Sequence, residues 1–142
     1  MKNSKSLDDL HPVVRDKATI FLKKCKDVGI YLLVTSTLRD FEAQTILYAQ
    51  GRTAPGAIVT KAKAGESMHN YALAFDVVPV ADGKPVWGSS STKDLALWNK
   101  VGTIGEECGL EWAGRWKSFP ELAHFQYTGG LTLADLQAGK RI

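Results

Sequence analysis

Ser67-Met68-His69-Asn70-Tyr71-Ala72-Leu73-Ala74-Phe75-Asp76 is the stretch around which the rest of the chain is read. It sets a histidine at the entry of an apolar run and an aspartate seven positions later. From Ala72 to Val80 the residues alternate as a strand does. Ala72, Ala74, Asp76 and Val78 share one face, and Leu73, Phe75 and Val77 the other. An aspartate inside such a run is costly unless it is paired or bound to a cation. A second carboxylate–histidine pair, Glu121 and His124, follows far downstream. His69, Asp76 and His124 are two imidazoles and one carboxylate, a set that suits zinc and leaves a fourth position open. Glu121 is then free to act as a base.

Working outward, Arg52 to Glu66 carries Pro55, Gly56 and Gly65 with no period and leads straight into His69. A long irregular segment beside a chemical site is expected to rim its cleft. On the other side, Ala81-Asp82-Gly83-Lys84 reads as a hairpin turn, with Pro85 to Trp87 as its return. Ile30 to Val34 is apolar and β-branched and reads as a buried strand, left through the polar turn Thr35 to Asp40. Leu110 to Trp112 and His124 to Tyr127 are two more strands.

Helices frame these strands. Pro12 suits a first helical turn, and Val14, Ala18, Phe21, Leu22, Cys25 and Val28 follow as one stripe, stopped by Gly29. A second helix runs from Phe41 to Gln50, with Ala43, Ile46, Leu47 and Tyr48 as its apolar residues. Ser89 to Thr92 cap a third, whose buried side is Leu95, Trp98, Val101, Gly102, Gly105 and Cys108. Its glycines predict close packing against another element. Leu131 to Gln137 forms a last short helix, with Thr132 and Asp135 spaced as a capping box. Helices beside a small antiparallel sheet make the fold class α+β.

Bulk properties bound the function. The 142 residues suit one domain, and 44% hydrophobic with 23% charged residues is ordinary for a globular chain. Eighteen basic against fifteen acidic residues leave a net charge of +3, too mild for a nucleic-acid partner and weakly favourable to an anionic surface such as a cell wall. The lysines at 17, 23, 24 and 26 are expected on a solvated helix face. Cys25 and Cys108 are expected as buried free thiols. Neither has a nearby histidine, and no serine sits in a nucleophile-elbow pattern. His11 stands outside the metal pattern, at the start of the first helix. No apolar run approaches the roughly 18 residues of a membrane span. Met1 to Leu10 lacks the apolar centre of a signal peptide, so synthesis in the cytoplasm is expected.

These residues resemble the zinc D-Ala-D-Ala carboxypeptidase and L-alanyl-D-glutamate endopeptidase family, which includes resistance-type D,D-peptidases and many phage endolysins. The family's Ser-x-His-x-x-Gly-x-Ala-x-Asp motif falls on Ser67, His69, Ala74 and Asp76, with Ala72 where the motif has glycine. Its acidic-x-x-His motif falls on Glu121 and His124. Its Ser/Thr-rich turn with arginine, followed by a helix with glutamine, falls on Ser36, Arg39 and Gln44. The similarity runs from about residue 7 to residue 131. Trp112 to Phe119, and His124-Phe125-Gln126, look like the phage endopeptidase branch; Ala123 stands where the carboxypeptidase branch usually has tryptophan.

The resemblance implies a hedgehog/D,D-peptidase-like zinc fold over a single domain, 1–142, without a separate wall-binding module. It implies one Zn²⁺ per chain on His69, Asp76 and His124, Glu121 as the base, and Arg39 on the scissile carbonyl oxygen. Ser67, Gln44, Tyr71 and Trp116 are expected at the substrate, Gln44 also as a support of the Arg39 turn; Trp112 and Phe119 line either the cleft or, as aromatics more often do, the core. Alanine at position 72 disfavours positive φ, so a shifted turn is expected there. The partner is the peptidoglycan stem peptide, the protein a monomer that acts on the wall after a holin-type release. The rival readings are a D-Ala-D-Ala carboxypeptidase and a zinc-binding recognition domain without catalysis. Intact Glu121 and Arg39 argue against the latter.

Overall fold

A computed structural model describes residues 1–142. Helix α1 (Pro12–Asp27) leads to strand β1 (Tyr31–Ser36) and helix α2 (Phe41–Ala49). After the irregular segment come β2 (Ala74–Ala81), β3 (Lys84–Pro85) and α3 (Thr92–Glu107). The chain closes with β4 (Glu111–Trp112), β5 (His124–Gln126) and α4 (Leu133–Gln137). The sheet order is β1-β2-β5-β4, antiparallel throughout, with β3 folded back on the end of β2. The α+β class is as expected.

The helix signals act where they stand. His11 caps α1 through Nδ1, Ser91 caps α3, and Thr132 with Asp135 closes a reciprocal capping box on α4. Val14, Ala18, Phe21 and Cys25 form the buried stripe of α1. Phe21, Phe75 and Phe125 meet at the centre, with Phe21 and Phe125 centroids 4.7 Å apart. The predicted close packing of α3 is real: a Cβ on Gly102 would lie 2.2 Å from Trp112, and one on Gly105 would lie 2.5 Å from Phe125. Bare glycine backbone lets β4 and β5 dock against the helix. Cys25 and Cys108 are free, and Cys108 is only half-buried.

One expectation is corrected. β1 is not a buried strand but a sheet edge: Leu32 faces the core, while Tyr31 and Leu33 on the opposite face are exposed. In α2 the buried residues are Ala43 and Gln44, and Ile46 points to solvent. Its inward face supports a polar loop rather than the apolar core, so hydrophobicity alone misorients it. Trp112 is a core residue, 2% exposed, because it fills the space left by Gly102.

The N-terminal residues do something the sequence did not announce. Thr37 donates its N–H to Ser4 O at 2.8 Å, Ser4 to Leu38 O at 2.8 Å, and Asp40 to Lys2 O at 2.8 Å. Residues 2–4 thus run as a strap along the Thr37–Asp40 turn, which holds Arg39. Asp40 caps α2 with one carboxylate oxygen and accepts Lys2 N–H on the other.

Candidate metal centre

Strand register assembles the site. In the β2–β5 pair Asp76 stands opposite His124, so a residue late in the chain is brought against the middle of β2. His69 arrives from the preceding 3₁₀ turn, Met68–Tyr71, capped by the Ser67 side chain with Asn70 closing a capping box. Asp76 Oδ1 lies 3.2 Å from His69 Nε2 and 3.3 Å from His124 Nδ1. One donor atom from each of the three residues falls within 4.8 Å of the others. Both histidines are buried.

The other nitrogen of each ring decides what this point requires. His69 Nδ1 lies 2.8 Å from the Thr37 carbonyl oxygen, which can only accept, so Nδ1 carries the hydrogen. His124 Nε2 likewise faces Gln126 Oε1 at 2.7 Å. In the neutral rings both inward nitrogens then present lone pairs to a carboxylate oxygen. Such an arrangement of acceptors is unfavourable without a positive charge among them, and a divalent cation supplies it. The donor set fits zinc, which accepts two imidazoles and a carboxylate and keeps one position open. Were both rings protonated inward, burial would still push the Asp76 carboxyl up, but hydrogen bonds and charge from His124 and His69 would outweigh it and hold it well below the usual carboxylate range. Burial opposes the charged form of His124, yet the Asp76 bond and charge, with Gln126 and Glu121, hold it above its ordinary value.

A cavity of about 330 Å³ opens over this point. Arg39, Ser67, Trp116 and Glu121 border it, together with Val59 and Thr60 from the irregular segment, which rims the cleft as expected. Glu121 Oε2 lies 3.9 Å from His124 Nδ1, too long for a hydrogen bond, which leaves the carboxylate free at the edge of the cavity. Arg39 donates from one terminal nitrogen to Gln44 Oε1 at 2.9 Å and from the other to Ser36 Oγ at 3.2 Å. Its buried Nε has no partner, so a guanidinium with five donors is only partly used within the protein. Burial lowers the Arg39 pKa, while the charges of Asp76 and Glu121 favour its cationic form.

Two expected substrate residues lie elsewhere. Gln44 is fully buried beneath Arg39, its amide donating to Ala62 O at 2.7 Å, so it braces the guanidinium and the loop. Tyr71 is outside the cavity lining; its hydroxyl donates to Gly65 O at 2.8 Å and its ring packs edge-on against Phe41. Conversely, sequence reasoning passed over Asn70, which donates to Arg39 O at 2.8 Å, and gave Gln126 no role. Asn70 next to a motif histidine was the available signal. Burial pushes the Cys25 thiol up to about 12, with the nearby Cys108 adding to the shift, which leaves no nucleophile there.

At Ala72 the expected avoidance of positive φ does not occur. The alanine itself takes the left-handed conformation, φ 60 and ψ 27, ending the His69 turn. Left-handed backbone costs a non-glycine residue about 1–2 kcal/mol. Ala72→Gly is therefore expected to stabilise the fold by about 1 kcal/mol, read as a Tm increase of about 2–4 °C. An unchanged or lowered Tm would mean that this strain is absent.

A family model described as D-alanyl-D-alanine carboxypeptidase matches residues 60–127. The chain is 39% identical over 122 residues to the peptidoglycan L-alanyl-D-glutamate endopeptidase CwlK of Bacillus subtilis (strain 168), over 83% of this chain and 73% of that protein. Among solved structures, the L-Ala D-Glu endopeptidase ChiX of Serratia marcescens is 24% identical with a TM-score of 0.58, covering 92% of this chain and 86% of that one. The vancomycin resistance D,D-pentapeptidase VanY in complex with Zn(II) is 13% identical with a TM-score of 0.60, covering 97% and 84%. At those identities the two structures speak for the fold alone.

Proposed function

This chain belongs to the D-alanyl-D-alanine carboxypeptidase and L-alanyl-D-glutamate endopeptidase family, zinc-dependent enzymes that hydrolyse peptidoglycan, and on that premise we propose that it cuts the stem peptide internally, between L-alanine and D-glutamate. The observation that carries the internal cut is the 39% identity to an enzyme of that specificity. The cleft supports it. A second cavity of about 400 Å³ adjoins the first at Trp116 and Glu121 and runs on along Ile58, Phe119 and Pro120. An endopeptidase must hold chain on both sides of the scissile bond, whereas a carboxypeptidase needs room for one departing residue.

In this reading His69, Asp76 and His124 hold one zinc, which when bound supplies Lewis-acid chemistry, acidifying water toward neutrality and polarising a peptide carbonyl. Glu121, at the cavity edge, takes a proton from the attacking water and returns it to the departing amine. Arg39, fixed by Ser36 and Gln44, turns its unused N–H donors toward the carbonyl oxygen as negative charge develops on it. Because the guanidinium is braced before substrate arrives, little reorganisation opposes the reaction. Ser67 and Trp116 meet the substrate from the cavity wall.

The finer role we assign is that of a phage-type wall-lysing enzyme reaching murein after release, acting as a monomer through residues 1–142 as one catalytic unit. Its support is the Trp112 to Phe119 segment and Gln126 after the second histidine. No helix is long and apolar enough to cross a membrane. The test is digestion of purified murein with zinc, with chelator, and with zinc restored, the fragments read by mass. Fragments ending in L-Ala, lost with chelator and regained with zinc, are expected. Release of D-Ala alone would move the protein to the carboxypeptidase reading, which the description of the matching family model favours.

A further inference from the structure

Glu111 lies on β4, outside every motif considered above, yet two parts of the site converge on it. Its Oε2 accepts the indole N–H of Trp116 at 2.8 Å and the amide N–H of Gln126 at 3.3 Å. Gln126 Oε1 in turn faces His124 Nε2 at 2.7 Å. Glu111 and Gln126 are register partners across β4 and β5, so the backbone holds the two side chains side by side. Trp116 forms part of the cavity wall, its ring 5.5 Å from that of His124.

The donor and acceptor rules leave this chain one polarity. A carboxylate can only accept and an indole N–H can only donate. The Gln126 amide must therefore turn its NH₂ toward Glu111 and its oxygen toward His124. That oxygen requires a hydrogen on Nε2, which leaves the His124 lone pair on Nδ1, the nitrogen facing Asp76. The same carboxylate oxygen sets the plane of the Trp116 ring.

We propose that Glu111 is a positioning residue: it fixes both the ligating tautomer of His124 and the Trp116 wall against which substrate lies, and so couples metal affinity to substrate fit. The proposal rests on the zinc and cleft reading above, and deepens it. Glu111→Met keeps the length of the side chain but removes the oxygen that accepts both bonds. The Trp116 N–H then loses its partner, and the Gln126 amide is free to flip and present NH₂ to His124.

The test compares the wild type, Glu111→Met and Trp116→Phe, each in the full chain. Zinc affinity is measured by competition with a chromophoric chelator, and KM and kcat on soluble murein fragments. Glu111→Met is expected to bind zinc about 10–100-fold more weakly, as loss of an outer partner of a ligating histidine does, and to raise KM even at saturating zinc. Its cobalt derivative should show a shifted visible spectrum, which a merely structural residue would not cause. Trp116→Phe keeps the ring but not the N–H, and is expected to raise KM while leaving zinc affinity within about threefold, since Gln126 keeps its acceptor. Unchanged zinc affinity and cobalt spectrum in Glu111→Met would overturn the proposal, as would weakened zinc with an unchanged KM at saturating metal. The zinc and cobalt measurements need no substrate, so they stand apart from the question of which bond is cut.

Discussion

Glu121→Gln is expected to lower kcat by about 10²–10⁴-fold, the range for removing a general acid–base group, while the protein still holds one zinc per chain. Glutamine matches glutamate in size but cannot take a proton from water. Nothing else facing the cavity can replace it. Asp76 is held between two imidazoles and Glu66, which also borders the cavity, is engaged by the Lys63 N–H at 2.8 Å. The Glu121 side chain is 57% exposed, and exposed substitutions of this kind usually shift stability by no more than about 0.5 kcal/mol. A loss of rate would therefore not reflect unfolding. Fragment appearance by mass gives kcat, and elemental analysis gives the metal. A variant that keeps kcat within about threefold of wild type, far short of the general acid–base range, would remove Glu121 from the role of base.

The second large effect is expected from Asp76→Ala. One oxygen, Oδ1, stands between both imidazoles, at 3.2 and 3.3 Å. Removing it deletes one ligand of three and also the only carboxylate among them. Zinc affinity is expected to fall by more than the ~10–100-fold that an outer partner costs. Murein cleavage should be undetectable at zinc levels that saturate the wild type. The chelated wild type should recover on adding zinc, whereas Asp76→Ala should not. Stoichiometric zinc in the purified variant would show that the ligand set is different. These two variants separate the roles: one loses chemistry and keeps metal, the other loses both.

The distance between reading and structure varies with how local the signal is. Ser91, Thr132 and Asp135 cap helices where the sequence placed them, because a cap is decided within four residues. Asp76 in an apolar run announced itself, because a lone carboxylate there has no stable neutral explanation. Gly102 and Gly105 signalled close approach but not its object, which proved to be Trp112 and Phe125. Apolar residues on α2 did not say which way they face: Leu47 borders the cleft and Ile46 is exposed, because a short helix can rim a cleft as readily as fill a core. Tyr71 was equally silent: its position two residues from His69 says nothing of where its ring turns, and it turns to Phe41 and Gly65.

By itself, the order of residues determined the strands and helices, the α+β class, the histidine–aspartate–histidine set and the carboxylate three residues before the last histidine. These follow from short-range spacing and from the cost of burying charge. Only the tertiary structure decided what holds that set in place. The strap of residues 2–4 on the Arg39 turn, Gln44 beneath the guanidinium, Thr37 behind His69 and the Glu111–Gln126 pair behind His124 all join residues distant in sequence. Their hydrogen bonds depend on cross-strand register and on which side of each ring faces a carbonyl or an amide. Many sequences share the composition of these segments without sharing that register, so the arrangement is settled only when the sheet and its helices have packed.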